Sequence, residues 1–212
     1  MYGYTLYPDS LYEALIGWMR RRHGWHVEAD WIVMAPGVVP SLYAAVHAFT
    51  QAGDGVIVQP PVYFPFFSAV TGLGRRIVEN PLRIDGEGYG IDFDHLKQCA
   101  RQARLLFLCS PHNPVGRVWT PEELRRVLDI ARRHDLVVLS DEIHHDLIYP
   151  EARHTPLATL AGPGDRLITA VAPSKTFNIP GLGLSALIAE QPEQRTHLAE
   201  AFELLHAGNH SP

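Results

Sequence analysis

The chain has 212 residues, of which 46% are hydrophobic and 19% charged; this allows one large globular domain with a substantial core and excludes a low-complexity or disordered chain. A formal net charge of -5 and a pI near 6.2 exclude a general attraction to nucleic acid or to an anionic membrane, so small molecules or proteins are the expected partners. The opening residues hold no long apolar run, so neither a signal peptide nor a spanning helix is expected, and Cys99 and Cys109, the two cysteines, suit a reducing cytoplasm better than a disulfide scaffold.

Residues 1–8 read as an extended aromatic entry. Asp9 and Ser10 offer N-cap oxygens after Pro8, and Leu11, Leu15, Trp18 and Met19 recur at helical spacing through Arg22, before Gly24 closes the helix. Trp31 to Ala35 predicts a short strand. Pro36-Gly37-Val38-Val39-Pro40-Ser41 turns it into a second helix, with Leu42, Val46 and Phe49 on its apolar face and Pro40 suited to a first turn. The free amides of that turn either suit an anion such as a phosphate or mark an ordinary strand-to-helix connection. Gly55 to Gln59 predicts the next strand. Pro60 and Pro61 then fix the backbone ahead of Tyr63, which either stacks on a flat ligand or packs into the core, and a helix follows to about Thr71.

Arg76 to Asn80 reads as a strand, Phe93 to Ala103 as a helix, and Leu105 to Cys109 as a strand that runs into the turn formers Ser110-Pro111-His112-Asn113-Pro114-Val115-Gly116. Thr120-Pro121-Glu122-Glu123 starts a helix with a cap, a first-turn proline and acid at its positive end, and Leu124, Val127, Leu128 and Ala131 form its apolar stripe. Leu136 to Asp141 is an apolar strand ending in Asp141-Glu142-Ile143-His144-His145-Asp146. Strand alternation places Asp141 and Ile143 on one face and Glu142 and His144 on the other. An ionised Asp at the end of a buried strand needs a cation or several donors. The same alternation sends His144, His145 and Asp146 apart, so no metal is expected, and His23, His26, His47 and His95 read as surface or helix-packing residues.

Arg166 to Val171 predicts a further buried strand, followed by Ala172-Pro173-Ser174-Lys175-Thr176-Phe177-Asn178. Lys175 and Lys97 are the two lysines of the chain. At a strand end among apolar and small residues, the Lys175 amine either acts as a nucleophile, since desolvation frees its lone pair for an aldehyde, or caps a helix or bridges to an acid. Leu184 to Ala189 adds a strand and Pro192 to His206 a final amphipathic helix. The alternation predicts an α/β fold with a mostly parallel sheet flanked by helices on both faces and ligands at the carboxyl ends of strands, where Tyr63, Asn113, Asp141 and Lys175 fall.

Seven segments, in this order, resemble the fold-type-I pyridoxal-phosphate (PLP) enzymes of aminotransferase class I/II, and most closely their cystathionine β-lyase branch of C–S lyases. They are Gly3-Tyr4-Thr5, Pro8-Asp9-Ser10-Leu11, Arg22-His23-Gly24-Trp25, Ser110 to Arg117, Asp141-Glu142-Ile143-His144, His154-Thr155-Pro156 and Ser174-Lys175-Thr176-Phe177-Asn178. The resemblance implies Lys175 as the lysine that holds the PLP aldehyde and Asp141 as the partner of the pyridine nitrogen. It places Asn113 on the phenolic oxygen with His144 beside it, and Tyr63 and Ile143 on the two ring faces. The backbone at Val38 and Val39 and the Ser174 hydroxyl would hold the phosphate. Tyr4 matches a tyrosine that family members lend to the neighbouring subunit, which implies a homodimer.

Two positions depart from the pattern: Ala172 stands where many aminotransferases carry Ser or Thr, and no Arg lies between Lys175 and Leu187. Residues 1–212 correspond to the PLP-binding large domain of such an enzyme, without the N-terminal segment before Gly-Tyr-Thr and without the C-terminal small domain. The implied activity is a cytoplasmic C–S β-lyase that takes an amino-acid substrate, cystathionine or a related cysteine S-conjugate, to a thiol, pyruvate and ammonia. An aminotransferase of the same class and a non-catalytic relative are the alternatives.

Overall fold

The computed structural model describes residues 7–86 and 88–205. In chain order its elements are α1 (Asp9–His23), β1 (Ile32–Ala35), α2 (Val38–Phe49), β2 (Gly55–Val58), α3 (Pro65–Gly72), β3 (Arg76–Glu79), β4 (Arg83–Asp85) and β5 (Gly88–Gly90). There follow α4 (Phe93–Ala100), β6 (Leu105–Cys109), α5 (Pro121–Arg133), β7 (Val137–Asp141), β8 (Leu167–Val171), the single turn α6 (Pro173–Thr176), β9 (Ser185–Ile188) and α7 (Pro192–Leu204). Seven strands form one sheet in the order β1-β9-β8-β7-β6-β2-β3, and β4 and β5 make a separate ribbon. Pairing is parallel from β3 through β8; β9 runs against both β8 and β1.

Every residue of β2, β6, β7 and β8 is buried, as strands covered on both faces require. Period-two alternation divides them between two cores. Val56, Leu105, Phe107, Val137 and Leu139 meet α2, α3 and α7, while Ile57, Leu106, Leu108 and Val138 meet α4 and α5. A smaller cluster seats α1 through Met19 on Val171, Ala186 and Ile188. The expected mostly parallel, doubly covered sheet is therefore present. Among the described residues no helix is long and apolar enough to cross a membrane.

Local differences have local causes. Pro8, not Asp9 or Ser10, is the N-cap residue of α1, and no side chain caps that end. Gly24 does close the helix, in the left-handed region at φ 64. Trp31 belongs to a 3₁₀ turn, Ala29–Trp31, ahead of β1. The helix expected to reach Ala103 stops at Ala100, because the Arg104 amide is needed by the Gly55 carbonyl at 2.9 Å. Thr120 and Glu123 form a reciprocal capping box at the start of α5, as their spacing predicts.

Candidate active site

Six of the seven strands point the same way, so their carboxyl ends open on one edge of the sheet. Cys109 pairs with Asp141 and Asp141 with Ala170, while Ala35 pairs with Ser185 across β9, whose Ala186 faces Val171. The start of α2, the loops after β2 and β6, the turn after β7 and α6 therefore share that edge. They carry Val38 and Val39, Tyr63, Asn113, Asp141 to His144, and Ser174 and Lys175. Tyr4 lies outside the described residues.

Asp141 ends β7 with 3% of its surface exposed. Among the described residues its carboxylate accepts one hydrogen bond, from the Ile143 N–H at 3.3 Å. Burial pushes its pKa up to about 7; the Ile143 amide and the Lys175 ammonium pull down and Glu142 pushes up. The several donors expected for a buried strand-end acid are absent among these residues.

The alternation expected beyond Asp141 does not hold, because β7 ends there and the chain turns, with His145 N–H bonded to the Glu142 carbonyl at 3.0 Å and Leu147 N–H to that of His144 at 2.9 Å. Asp141, Glu142 and Ile143 are all buried. Glu142 faces inward and accepts from Ser140 Oγ at 2.8 Å, the Leu157 N–H at 3.0 Å and His154 Nε2 at 2.8 Å.

Lys175 is exposed on α6, and no carboxylate among the described residues pairs with its Nζ, so the reading of a salt-bridged lysine finds no partner there. Its charge acts on Asp141 and on the half-buried His144, whose pKa is lowered first by burial and then by Lys175 and His145. Ser174 sits beside it, half-buried. At the other end of the site α2 starts from Gly37, at φ 139 and with no side-chain cap. That leaves the first-turn amides of Val38 and Val39 facing outward along the helix axis, where an anion is favoured.

Tyr63 is half-buried and edge-on to Phe66 at 6.3 Å, so it lies at the rim of the core with part of its ring free. Asn113 is held by its backbone, the N–H bonding Cys109 Sγ at 3.3 Å. Between them lies a residue that sequence reasoning did not single out. His112 is 1% exposed, and its Nε2 donates to the Pro61 carbonyl at 2.9 Å. This bond ties the loop of Asn113 to the loop of Tyr63; burial lowers the His112 pKa, which keeps the ring neutral. Its place inside the Ser110 to Arg117 motif was the available signal.

The expectation that His144, His145 and Asp146 diverge holds for His144, which lines a cavity with Asn113, but fails for His145 and Asp146, which the turn brings together. Of the two readings of His23, surface or helix-packing, the structure shows the second: its side chain is 6% exposed, and it reaches Asp146 Oδ1 at 3.0 Å while His145 reaches Oδ2 at 3.1 Å. Ligand atoms of His23, His145 and Asp146 lie within 4.8 Å of one another.

The aminotransferase class I and II family model matches residues 1–211. The chain belongs to that family. It is 43% identical over 206 residues to cystathionine beta-lyase PatB of Bacillus subtilis (strain 168), covering 96% of this chain and 53% of that protein. The structure of cystalysin from Treponema denticola, which contains a pyridoxal 5'-phosphate cofactor, superposes with a TM-score of 0.94 at 41% identity, covering 100% of this chain and 54% of that one. N-succinyldiaminopimelate aminotransferase from Mycobacterium tuberculosis gives 0.86 at 30% identity, over 98% and 56%. The chain thus spans about half the length of these relatives, and its fold is that of the type I PLP-dependent transferases.

The residues of this aminotransferase-family chain fit PLP. A carboxylate short of donors suits a protonated ring nitrogen, an unpaired amine suits an aldehyde, and an uncapped helix start suits a phosphate; all three lie on one edge. Ala172, only 6% exposed, adds no hydroxyl to the phosphate end.

Proposed function

We propose that the chain is the cofactor-binding large domain of a PLP-dependent C–S β-lyase that cleaves cystathionine or a related cysteine S-conjugate to a thiol, pyruvate and ammonia. The observation that carries this reading is the buried Asp141, with one amide donor among the described residues, on the same edge as Lys175, which pairs with no carboxylate among them. The likeness to PatB directs it to the lyases. When bound, PLP supplies an electron sink for negative charge developing at the substrate α-carbon. Asp141 would keep the ring nitrogen protonated, in a site dry enough to make that bond strong. Lys175 would hold the aldehyde and, once replaced by the substrate amine, remove the α-proton. Asn113 and His144 would face the phenolic oxygen, Tyr63 and Ile143 the two ring faces, and Val38, Val39 and Ser174 the phosphate. A homodimer in the cytoplasm, with Tyr4 lent across the interface, completes the reading.

The test is pyruvate release from L-cystathionine with PLP, by the 212-residue chain and by the product of its full reading frame. The longer product should release pyruvate and Lys175→Ala should abolish release. The shorter chain should be a poor catalyst, because positioning of the substrate supplies up to roughly 7–11 kcal/mol of a barrier and Arg117, the arginine that lines a cavity with Asn113 and His144, is already paired with Glu123 at 2.7 Å. The 30% identity to an aminotransferase supports a second reading: keto-acid exchange without pyruvate would establish it in place of the lyase.

A further inference from the structure

Asp146 lies outside the set of residues assigned above, yet its carboxylate is the meeting point of three elements. It accepts from Trp18 Nε1 at 2.9 Å and His23 Nε2 at 3.0 Å on α1, from His145 Nε2 at 3.1 Å on its own turn, and from Thr176 Oγ1 at 2.9 Å on α6. Arg22 stands at 3.8 Å. Its side chain is 4% exposed. Burial raises its pKa, but the hydrogen bonds from His145, His23 and Thr176 outweigh that and hold it far below the usual carboxylate range. The three-residue set His23, His145 and Asp146 would suit a cation by composition, but Trp18 and Thr176 already donate to the same carboxylate oxygen, and a cation would have to displace them.

Thr176 directly follows Lys175. A four-residue turn has no stability of its own, so something outside α6 must fix where Lys175 points. Packing does not do it alone. An apolar groove of about 180 Å³, lined by Leu11, Leu15, Trp18, Thr176 and Phe177 among others, runs between α1 and α6. The gap is spanned directly by the edge of the Trp18 ring against Phe177 at 5.2 Å and indirectly by Asp146, which joins Thr176 to Trp18 and His23 of α1. Asp146 is also five residues from Asp141 along one tight turn.

We propose that Asp146, acting through Thr176, is the positioning residue for Lys175: it fixes α6 against the turn that begins at Asp141 and so sets the reach of the amine toward the cofactor aldehyde. This rests on the reading of Lys175 as the cofactor lysine. Asp146 touches no reacting atom.

Lys97, exposed on α4 and paired with Asp94 at 2.9 Å, serves as an internal reference for the test. The chain is incubated with PLP and reduced with borohydride, and the adduct on each lysine is quantified by peptide mass mapping. Wild type should carry the label mainly on Lys175. Thr176→Val, which keeps the shape and loses the hydroxyl, should lower the Lys175 to Lys97 ratio by roughly tenfold or more, since misplacement of a reacting group by about 1 Å costs up to a hundredfold. Thr176→Ser should restore the ratio, which a loss of packing alone would not predict; Thr176→Ala gives the same readout if the added methyl crowds Trp18. An unchanged ratio in Thr176→Val and Thr176→Ala, against a wild type that prefers Lys175, would overturn the proposal and leave the function intact. A wild type with no preference for Lys175 would overturn both.

Discussion

Asp141 and Glu142 are consecutive and both buried, and their carboxylates are driven in opposite directions. Burial takes Asp141 up to about 7, with the Ile143 amide its one donor among the described residues. Burial acts on Glu142 too, but His154, the Leu157 amide and Ser140 overcome it and lower its pKa. One acid is thereby left short of a donor and the other is saturated.

The first prediction concerns that shortage. Asp141 binds its proton more tightly in the folded chain, at about 7 against an ordinary 3.8, so its contribution to stability is present below 3.8 and is lost as pH rises to about 7. Above that pH the folded chain without PLP carries a buried, poorly bonded charge. Asp141→Asn should therefore raise the stability of the PLP-free chain at pH 8 by on the order of a few kcal/mol and change it little at pH 4. Urea unfolding at the two pH values measures this. A variant less stable than wild type at pH 8 would contradict it.

Glu142 obeys the opposite sign. Its lowered pKa gives stability that is present above the usual carboxylate range and is lost as pH falls through the folded value. His154 and Glu142 are each 1% exposed in their side chains, so His154→Ala leaves a buried charge without its partner. The expected cost is about 3–5 kcal/mol. Glu142→Gln, which removes the charge and keeps most of the hydrogen bonds, should cost less. Equilibrium unfolding of both variants at pH 7 decides the order.

The thiols should be silent in the folded chain. Cys109 is 2% exposed and burial, with Asp141 adding to it, pushes its pKa far up; Cys99 is also buried and raised. Because the thiolate is the reactive form, iodoacetamide at pH 8 should leave both unmodified until denaturant is added. Mass spectrometry of the intact protein with and without urea reads this, and an adduct on the native chain would show that β6, if on Cys109, or α4, if on Cys99, opens.

Gly55 begins β2 where no side chain fits. A Cβ there would lie 2.2 Å from the Gln102 carbonyl oxygen and 2.8 Å from Val78. Gly55→Ala should destabilise the chain by roughly 2–3 kcal/mol through displaced backbone, seen as a lower urea midpoint with an unchanged slope.

Much of this was legible in the sequence wherever one local pattern decided the outcome. The boundaries of β6 follow from an uninterrupted apolar run, the start of α5 from Thr120 and Glu123, and the places of Asp141 and Lys175 from the ends of such runs. What was not legible depends on residues far apart. His23 and Asp146 are separated by 123 positions, Trp18 and Asp146 by 128, and no periodicity links them. The turn at Glu142 carries no sequence signal, because neither Gly nor Pro marks it and Asp141, Glu142, Ile143 and His145 are as buried as the strand before them.

The reversed strand β9 also sets the order in which the protein can be assembled. The earliest of the described strands, Ile32–Ala35, has β9 as its neighbour in the sheet, through pairs such as Ile32 with Ile188. The face of α1 rests on Val171, Ala186 and Ile188. Closing contacts of such high sequence separation is slow. β1 and α1 therefore wait, unpaired and sticky, until residue 188 has left the exit tunnel, and a chain that stalls before that point offers the open edge of β8 to its neighbours.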